Sequence, residues 1–287
     1  MSALDLRPAS QFSSADLAAL FTRGYEGYFV PVAITAEEFE HMALTGDFDL
    51  DASRVLMERD VPVAFALLGV RGTRGWVGGM GVVSGARGHG LGRRAMESVV
   101  ASARTLGVRE LDLEVLEQNV RAAGIYEALG FRDRRRLEVW VREPAAAAAG
   151  DESSPARAGS AEVLPVEECL GLHSAFHRER LPWQRDLDSL RHWAPRLSAI
   201  GIRTAGDIRG WVLHRIAPGR LSLVDLAVAP GAPIEPVAAV LGALIAAHAG
   251  STTLLVNLSP EDPFSPVLRD LGATVKFRQR EMTLTLA

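Results

Sequence analysis

The residues best suited to chemistry lie in two stretches. In the first, the apolar, glycine-thinned run Val77–Val83 enters Ser84-Gly85-Ala86 and then Arg87-Gly88-His89-Gly90-Leu91-Gly92. From Arg93 to about Gly107 the spacing of Met96, Val99, Val100 and Ala103 predicts a helix. A strand, a glycine turn and a helix N-terminus together form an anion site. Successive backbone N–H groups point outward, the helix dipole favours negative charge, and glycines let a ligand approach the main chain. The second stretch carries a carboxylate and a phenol. Glu114 falls on the polar side of the alternating run Glu110–Leu116, where a carboxylate can accept a proton. Tyr126, in Tyr126-Glu127-Ala128-Leu129-Gly130-Phe131, brings a phenol of pKa near ~10 that can donate one. Asn119 reads as the N-cap of the short helix that carries Tyr126.

These groups need a frame. Leu4–Arg7 reads as a strand, Ser13 or Ser14 caps a helix to about Tyr25, and Thr35 with Glu38 forms a capping box for a second helix. The aromatic loop Gly24–Pro31 lies between those helices, and Asp47, Asp49 and Asp51 follow as an acidic patch. Arg54–Glu58, Val61–Val70 and Gly75–Val83 then read as an antiparallel meander. Phe131–Asp133 and Leu137–Val141 close this part as two strands. The run Arg132, Arg134, Arg135 and Arg136 reads as a solvated turn, or as a hold on a ligand phosphate.

From Pro144 to about Ser160 the chain has nothing to bury and reads as a linker. The order of elements then repeats: a strand at Ala161–Leu164, helices from Pro165 and near Arg185–Trp193, strands at Leu197–Thr204, Ile208–Ile216 and Leu221–Val228, a helix at Ile234–His248, a strand at Thr252–Leu258, a short helix at Phe264–Leu271, and one or two strands to Leu286. This is an internal duplication. The expected organisation is a domain over 1–143, a linker over 144–160 and a second domain over 161–287.

The 287 residues and 48% hydrophobic content suffice for two domains with cores, and the net charge of −4 argues against a dedicated nucleic-acid binder. The single cysteine, Cys169, excludes an internal disulfide framework and a cysteine metal cluster. His173, His177, His192, His214 and His248 show no shared ligand spacing, so no metal is expected. No signal peptide or membrane span is visible, so the expectation is a soluble, cytoplasmic protein without a membrane partner.

Residues 75–142 resemble the GNAT superfamily of N-acetyltransferases. The family's Arg/Gln-x-x-Gly-x-Gly/Ala stands here as Arg87-Gly88-His89-Gly90-Leu91-Gly92. Its second signature stands as Leu113-Glu114-Val115, Asn119, Ala122 or Ala123, and Tyr126-Glu127-Ala128-Leu129-Gly130-Phe131. The small residue or proline that usually precedes the turn is replaced by the looser Ser84-Gly85-Ala86. The resemblance implies an α+β fold with a mixed, splayed sheet flanked by helices, in two tandem acyl-CoA N-acyltransferase-like domains. It implies acetyl-CoA as co-substrate and a primary amine as acceptor, with direct attack in a ternary complex. Met80, Gly81 and Val82 match the strand that pairs with the pantetheine arm. Gly88, His89, Gly90, Leu91, Gly92 and Arg93 match the pyrophosphate turn, Arg87 matches a cofactor position, and Asn119 matches a contact to the pantetheine. Tyr126 matches the general acid for the leaving thiolate, and Glu114 a possible general base. The loop Gly24–Pro31 and the three aspartates would then lie on the acceptor side, where an acidic rim suits a cationic amine; a merely soluble loop is the alternative.

The second domain departs from this pattern. Ala229-Pro230-Gly231-Ala232-Pro233 replaces the glycine turn, and its prolines remove N–H donors. Aligning Asp270-Leu271-Gly272-Ala273 with Ala128-Leu129-Gly130-Phe131 puts Leu268 opposite Tyr126 and Val256 opposite Glu114. A degenerate copy is expected, acting within a monomer or homodimer. Two other readings compete. One is a non-catalytic acyl-CoA-binding sensor. The other, a dinucleotide-binding oxidoreductase, rests on the glycines alone and fails because a meander precedes the turn and no later ribose-binding acid is evident.

Overall fold

The computed structural model describes residues 4–145 and 161–286. Two compact units form: Met1–Arg135 with Arg280–Ala287, and Arg136–Gln279.

In the first unit, β1 (Leu4–Pro8), β2 (Arg54–Glu58), β3 (Val61–Arg71) and β4 (Arg74–Val82) are antiparallel neighbours. The hairpin between β2 and β3 turns on Arg59 and Asp60, both at positive φ, as a two-residue turn matched to the strand twist requires. The helices α1 (Ser14–Gly24) and α2 (Ala36–Thr45) begin in the two expected kinds of cap. Ser13 exchanges hydrogen bonds with Asp16, and Thr35 with Glu38. α1 crosses one face of β3 and β4, burying Leu17, Leu20 and Phe21 with Phe65. On the other face, α3 (Leu91–Thr105) packs across β2, β3 and β4 through Ala95, Met96, Val99 and Ala103. It begins two residues earlier than the apolar spacing indicates, because Gly90 in the left-handed region supplies the cap.

β5 (Glu110–Leu116) follows, then α4 (Val120–Ala128) and β6 (Arg132–Arg142). β6 is one strand where the sequence suggests two. The arginine run that interrupts its apolar pattern is held by carboxylates: Arg134 bonds Glu110 at 2.8 Å, and Arg135 lies 2.6 Å from the buried Glu281. The unit's strands run in the order β1-β2-β3-β4-β5-β12-β6, where β12 spans Thr274–Thr285. Met282 and Leu284 of β12, and Leu286 beyond it, are buried in this unit's core. The first unit is therefore not the continuous stretch 1–143: the last residues of the chain complete its sheet, and its first segment ends at Arg135, within the span of β6. Of the expected linker, residues 146–160 lie outside the described residues.

The second unit repeats the plan with β7 (Ala161–Leu164), α5 (Val166–Phe176), α6 (Leu187–Trp193), β8 (Ser198–Thr204), β9 (Asp207–Ala217), β10 (Arg220–Val228), α7 (Glu235–Ala247), β11 (Thr252–Leu258) and α8 (Phe264–Asp270). Its strands run in the order β6-β11-β10-β9-β8-β7. Cα pairing makes the duplication quantitative. Phe65 faces Gly81 and Leu67 faces Gly79 across β3 and β4; Trp211 faces Ala227 and Leu213 faces Asp225 across β9 and β10. A bulge follows at the same offset in both ladders, at Gly78 and Val224.

One feature of the first sheet positions the site. β4 and β5 pair in parallel only over Arg74–Trp76 against Glu110–Asp112. Beyond that ladder, β4 runs on to Val82 and β5 to Leu116 without pairing to each other, so the sheet opens between them.

Candidate functional site

The rim of this opening is the glycine turn. Gly88 and Gly90 have φ of +93° and +76°, a region that costs an L-residue about 1–2 kcal/mol, and both are exposed. α3 has no side-chain cap at its N-terminus, so the N–H groups of Leu91, Gly92 and Arg93 have no acceptor within the helix. Uncapped donors, the positive end of a 15-residue helix and the missing Cβ atoms at the exposed Gly88 and Gly90 combine as an anion cradle. Arg93 contributes through its backbone, since its guanidinium bonds Glu97 at 2.8 Å. The exposed ring of His89 lies beside the Ala86 carbonyl at 3.4 Å.

Arg87, whose motif position indicates a cofactor role, is engaged by the backbone. Its guanidinium donates to three backbone carbonyls: Val82 at 2.9 Å, Gly24 at 3.0 Å and Glu26 at 2.7 Å. It ties the turn to the end of α1.

β4 forms one wall. Val83 N–H donates to Val63 O at 2.9 Å. Successive N–H groups along a strand alternate sides. The N–H of Val82, and that of Met80, are therefore turned away from β3 toward the side on which β5 departs. Gly81 lets α1 come close: a Cβ there would lie 2.6 Å from the Phe65 ring and 3.1 Å from Gly24 Cα. That approach sets Tyr25, just past α1, against Phe21, with ring centroids 4.7 Å apart, and its hydroxyl accepts a hydrogen bond from the Met80 backbone.

Tyr25 and Tyr28 join the site although the sequence places them only in an aromatic loop. Their rings are 5.0 Å apart, edge to face. The Tyr28 hydroxyl is bonded by the side chain of Asn119, and both phenols act electrostatically on Tyr126. These three tyrosines are all the chain has, and that scarcity is the one signal the sequence offers. Burial pushes the pKa of each upward; for Tyr28, the Asn119 bond opposes the shift. Asn119 also caps α4, accepting from Ala122 N–H at 3.2 Å. Tyr126 is buried beside Phe131. On β5 the half-buried Glu114 accepts a hydrogen bond from the Trp76 indole at 2.8 Å. The aspartates do not form a free acidic rim. Asp47 bonds Arg71 at 2.6 Å, Asp49 accepts from Ala52 N–H, and Asp51 accepts from the Ser10 hydroxyl.

In the second unit, Pro occupies the first turn of α7, Glu235 adds negative charge there, and Leu268 is buried. An anion would meet fewer donors and a carboxylate. The histidines, whose spacing in the sequence points to no metal site, include two that the fold brings to a carboxylate. His173 and His177, one helical turn apart, meet Asp225, with potential ligand atoms within 4.8 Å of one another. Burial alone would push the Asp225 pKa up, but His177 and Arg185 hold it well below the usual carboxylate range. Cys169 is buried, and burial pushes its thiol up to about 12, which makes it a packing residue.

Residues 18–131 match the model of the Acetyltransferase (GNAT) family. None of the curated proteins compared matches the sequence significantly. Among solved structures, the chain is similar to a GCN5-related N-acetyltransferase from Sphaerobacter thermophilus (16% identity, TM-score 0.72, covering 98% of this chain and 95% of that one). It is also similar to a tandem GNAT protein from the clavulanic acid biosynthesis pathway (15% identity, TM-score 0.67, 99% and 98% covered). A third likeness is to a GCN5-related N-acetyltransferase from Anabaena variabilis (15% identity, TM-score 0.62, 98% and 72% covered). The fold extends over both units, while the family's sequence model falls on the first. Among the described residues no helix is long and apolar enough to cross a membrane.

Proposed function

We propose that this chain, a tandem-domain protein of the GNAT superfamily, transfers the acetyl group of acetyl-CoA to a primary amine, with the chemistry confined to its first unit. The observation that carries the reading is the uncapped, glycine-opened N-terminus of α3 beside the gap where β4 parts from β5. A diphosphate fits the cradle. An extended arm fits the gap, where the edge of β4 from Met80 to Val82 can pair with it as it would with a strand, displacing the Tyr25 hydroxyl from the Met80 backbone. The thioester supplies the activated acyl group.

The chain's own groups complete the reaction. Glu114, held by Trp76, takes a proton from the substrate ammonium through water, leaving the neutral amine to attack the thioester carbonyl. Val82 N–H stabilises the oxyanion formed as nitrogen adds to the carbonyl. Tyr126 then delivers a proton or a hydrogen bond to the departing thiolate. Its phenol is protonated at neutral pH, and burial pushes its pKa further up, so the donor is always loaded. The same burial makes it a reluctant acid, so proton delivery follows the charge that grows on sulfur. Arg87 holds the turn in shape.

The test is acetylation of an amine panel, followed by mass spectrometry of the products. Tyr126→Phe should lower the rate about 10²- to 10³-fold with acetyl-CoA binding retained. A Tyr126→Phe enzyme at full rate would remove that residue from the mechanism. A second reading, an acyl-CoA sensor, draws on the engagement of both Arg87 and Glu114 in structural bonds. It expects calorimetric binding of acetyl-CoA without transfer to any amine.

A further inference from the structure

Superposing the two repeats by strand register exposes an exchange. α1 and α5 each have 11 residues, and β4 and β10 each have 9. Phe21 therefore corresponds to His173, Tyr25 to His177, Phe65 to Trp211 and Gly79 to Asp225. In the first unit these positions hold stacked aromatic rings over a glycine. In the second they hold two imidazoles, an indole and a carboxylate of 0% exposure. Apolar packing was available at this place in the fold, and a buried polar group is costly unless something satisfies it.

The cluster has the anatomy of a cation site. The imidazole rings of His173 and His177 project from one face of α5, with centroids 4.5 Å apart. His177 Nε2 lies 3.0 Å from Asp225 Oδ2. His173 is 5% exposed, and its Nε2 is buried without a hydrogen-bond partner. The carboxylate has two further partners: Trp211 Nε1 donates to Oδ2 at 2.9 Å and Arg185 Nη2 to Oδ1 at 3.2 Å. Such outer bonds fix the ligating groups of metal centres. Asp262 lies within electrostatic reach of Arg185, Asp225 and His177, and burial pushes its pKa up.

We propose that the second unit binds one zinc-class divalent cation through His173, His177 and Asp225. Two imidazoles and one carboxylate suit zinc or cobalt, and three protein ligands leave a position for water or a small ligand. The site takes the place of the aromatic stack and fastens α5 to β10.

The test uses the full chain, stripped with chelator and titrated with cobalt(II) and with zinc. The expected result is one equivalent bound per chain, the d–d absorption of four-coordinate cobalt, and an imidazole signature in zinc X-ray absorption. His173→Phe restores the residue type of the first unit and should lower affinity by more than about 100-fold, while Trp211→Phe should lower it about 10-fold. Tyr126→Phe, in the other unit, should bind metal as the unaltered chain does. If the unaltered chain takes up no stoichiometric metal, or if the absorption spectrum lacks imidazole, the proposal is overturned. X-ray absorption reads the unaltered protein, so this result is decisive even where a variant fails to fold. Metal uptake unchanged in a folded His173→Phe chain would also overturn it.

Discussion

At the scale of single residues, Tyr25 and Tyr126 make the site measurable. Tyr126 is buried and Tyr25 half-buried, and burial raises both pKa values above the ordinary value of 10. In the unfolded chain the phenols ionise near that value; in the folded chain they keep their protons. Their contribution to stability is therefore fully present below pH 10 and is lost above it, by up to about 1.4 kcal/mol per pH unit for each group. Between pH 10 and 11, a Tyr126→Phe chain should lose about 1 kcal/mol less than the unaltered chain, read by denaturant unfolding at the two pH values. Equal losses would place Tyr126 in contact with water. Arg87 is argued at the same scale. Removing three charge-assisted bonds to Val82, Gly24 and Glu26 should destabilise Arg87→Ala by about 1–3 kcal/mol. It should loosen the turn as well, so that KM for acetyl-CoA rises more than kcat falls. A stable variant with only a binding defect would return Arg87 to the phosphate.

At the scale of elements, the two ends of α3 offer a matched pair. Gly90 at its start and Gly107 past its end both sit at positive φ, with nothing within 4 Å of where a Cβ would stand. An alanine at either position should cost about 1–2 kcal/mol. Only Gly90→Ala should also weaken acetyl-CoA binding, measured by calorimetry beside the thermal midpoint of each. What is legible in the sequence divides along the same line. The capping residues Ser13 and Thr35, the Arg59-Asp60 turn and the α3 glycines are readable because their chemistry is completed by neighbours in sequence. The meeting of Tyr25 and Tyr28 with Tyr126 is not, because α1 reaches β4 only through the close approach of Gly24 and Gly81. The task of Arg87 is hidden for a related reason: its acceptors at Gly24 and Glu26 lie far away in the chain. His173 and His177 do carry a local signal, their four-residue spacing, but the carboxylate that gives it meaning lies on β10.

At the scale of the molecule, the apparent boundary near residue 143 does not mark the end of the first unit. Met282, Leu284 and Leu286 belong to its core. Burying three such side chains is worth about 5 kcal/mol or more, comparable with the whole stability of a typical domain. A chain of residues 1–143 alone should therefore unfold cooperatively at a much lower temperature, or remain unfolded, by circular dichroism; a native-like melt would show that β12 is dispensable. The β12 sequence contains nothing that says which unit it completes. The degenerate turn at the start of α7, with Pro236 and Glu235, favours an acyl donor held by the first unit alone. The most direct measurement is the initial rate at which the full chain releases free thiol from acetyl-CoA, with and without each of a panel of primary amines. The predicted result is amine-dependent thiol release matched mole for mole by acetylated amine. Tight binding of acetyl-CoA with no thiol released over its slow hydrolysis, whatever amine is supplied, would contradict it.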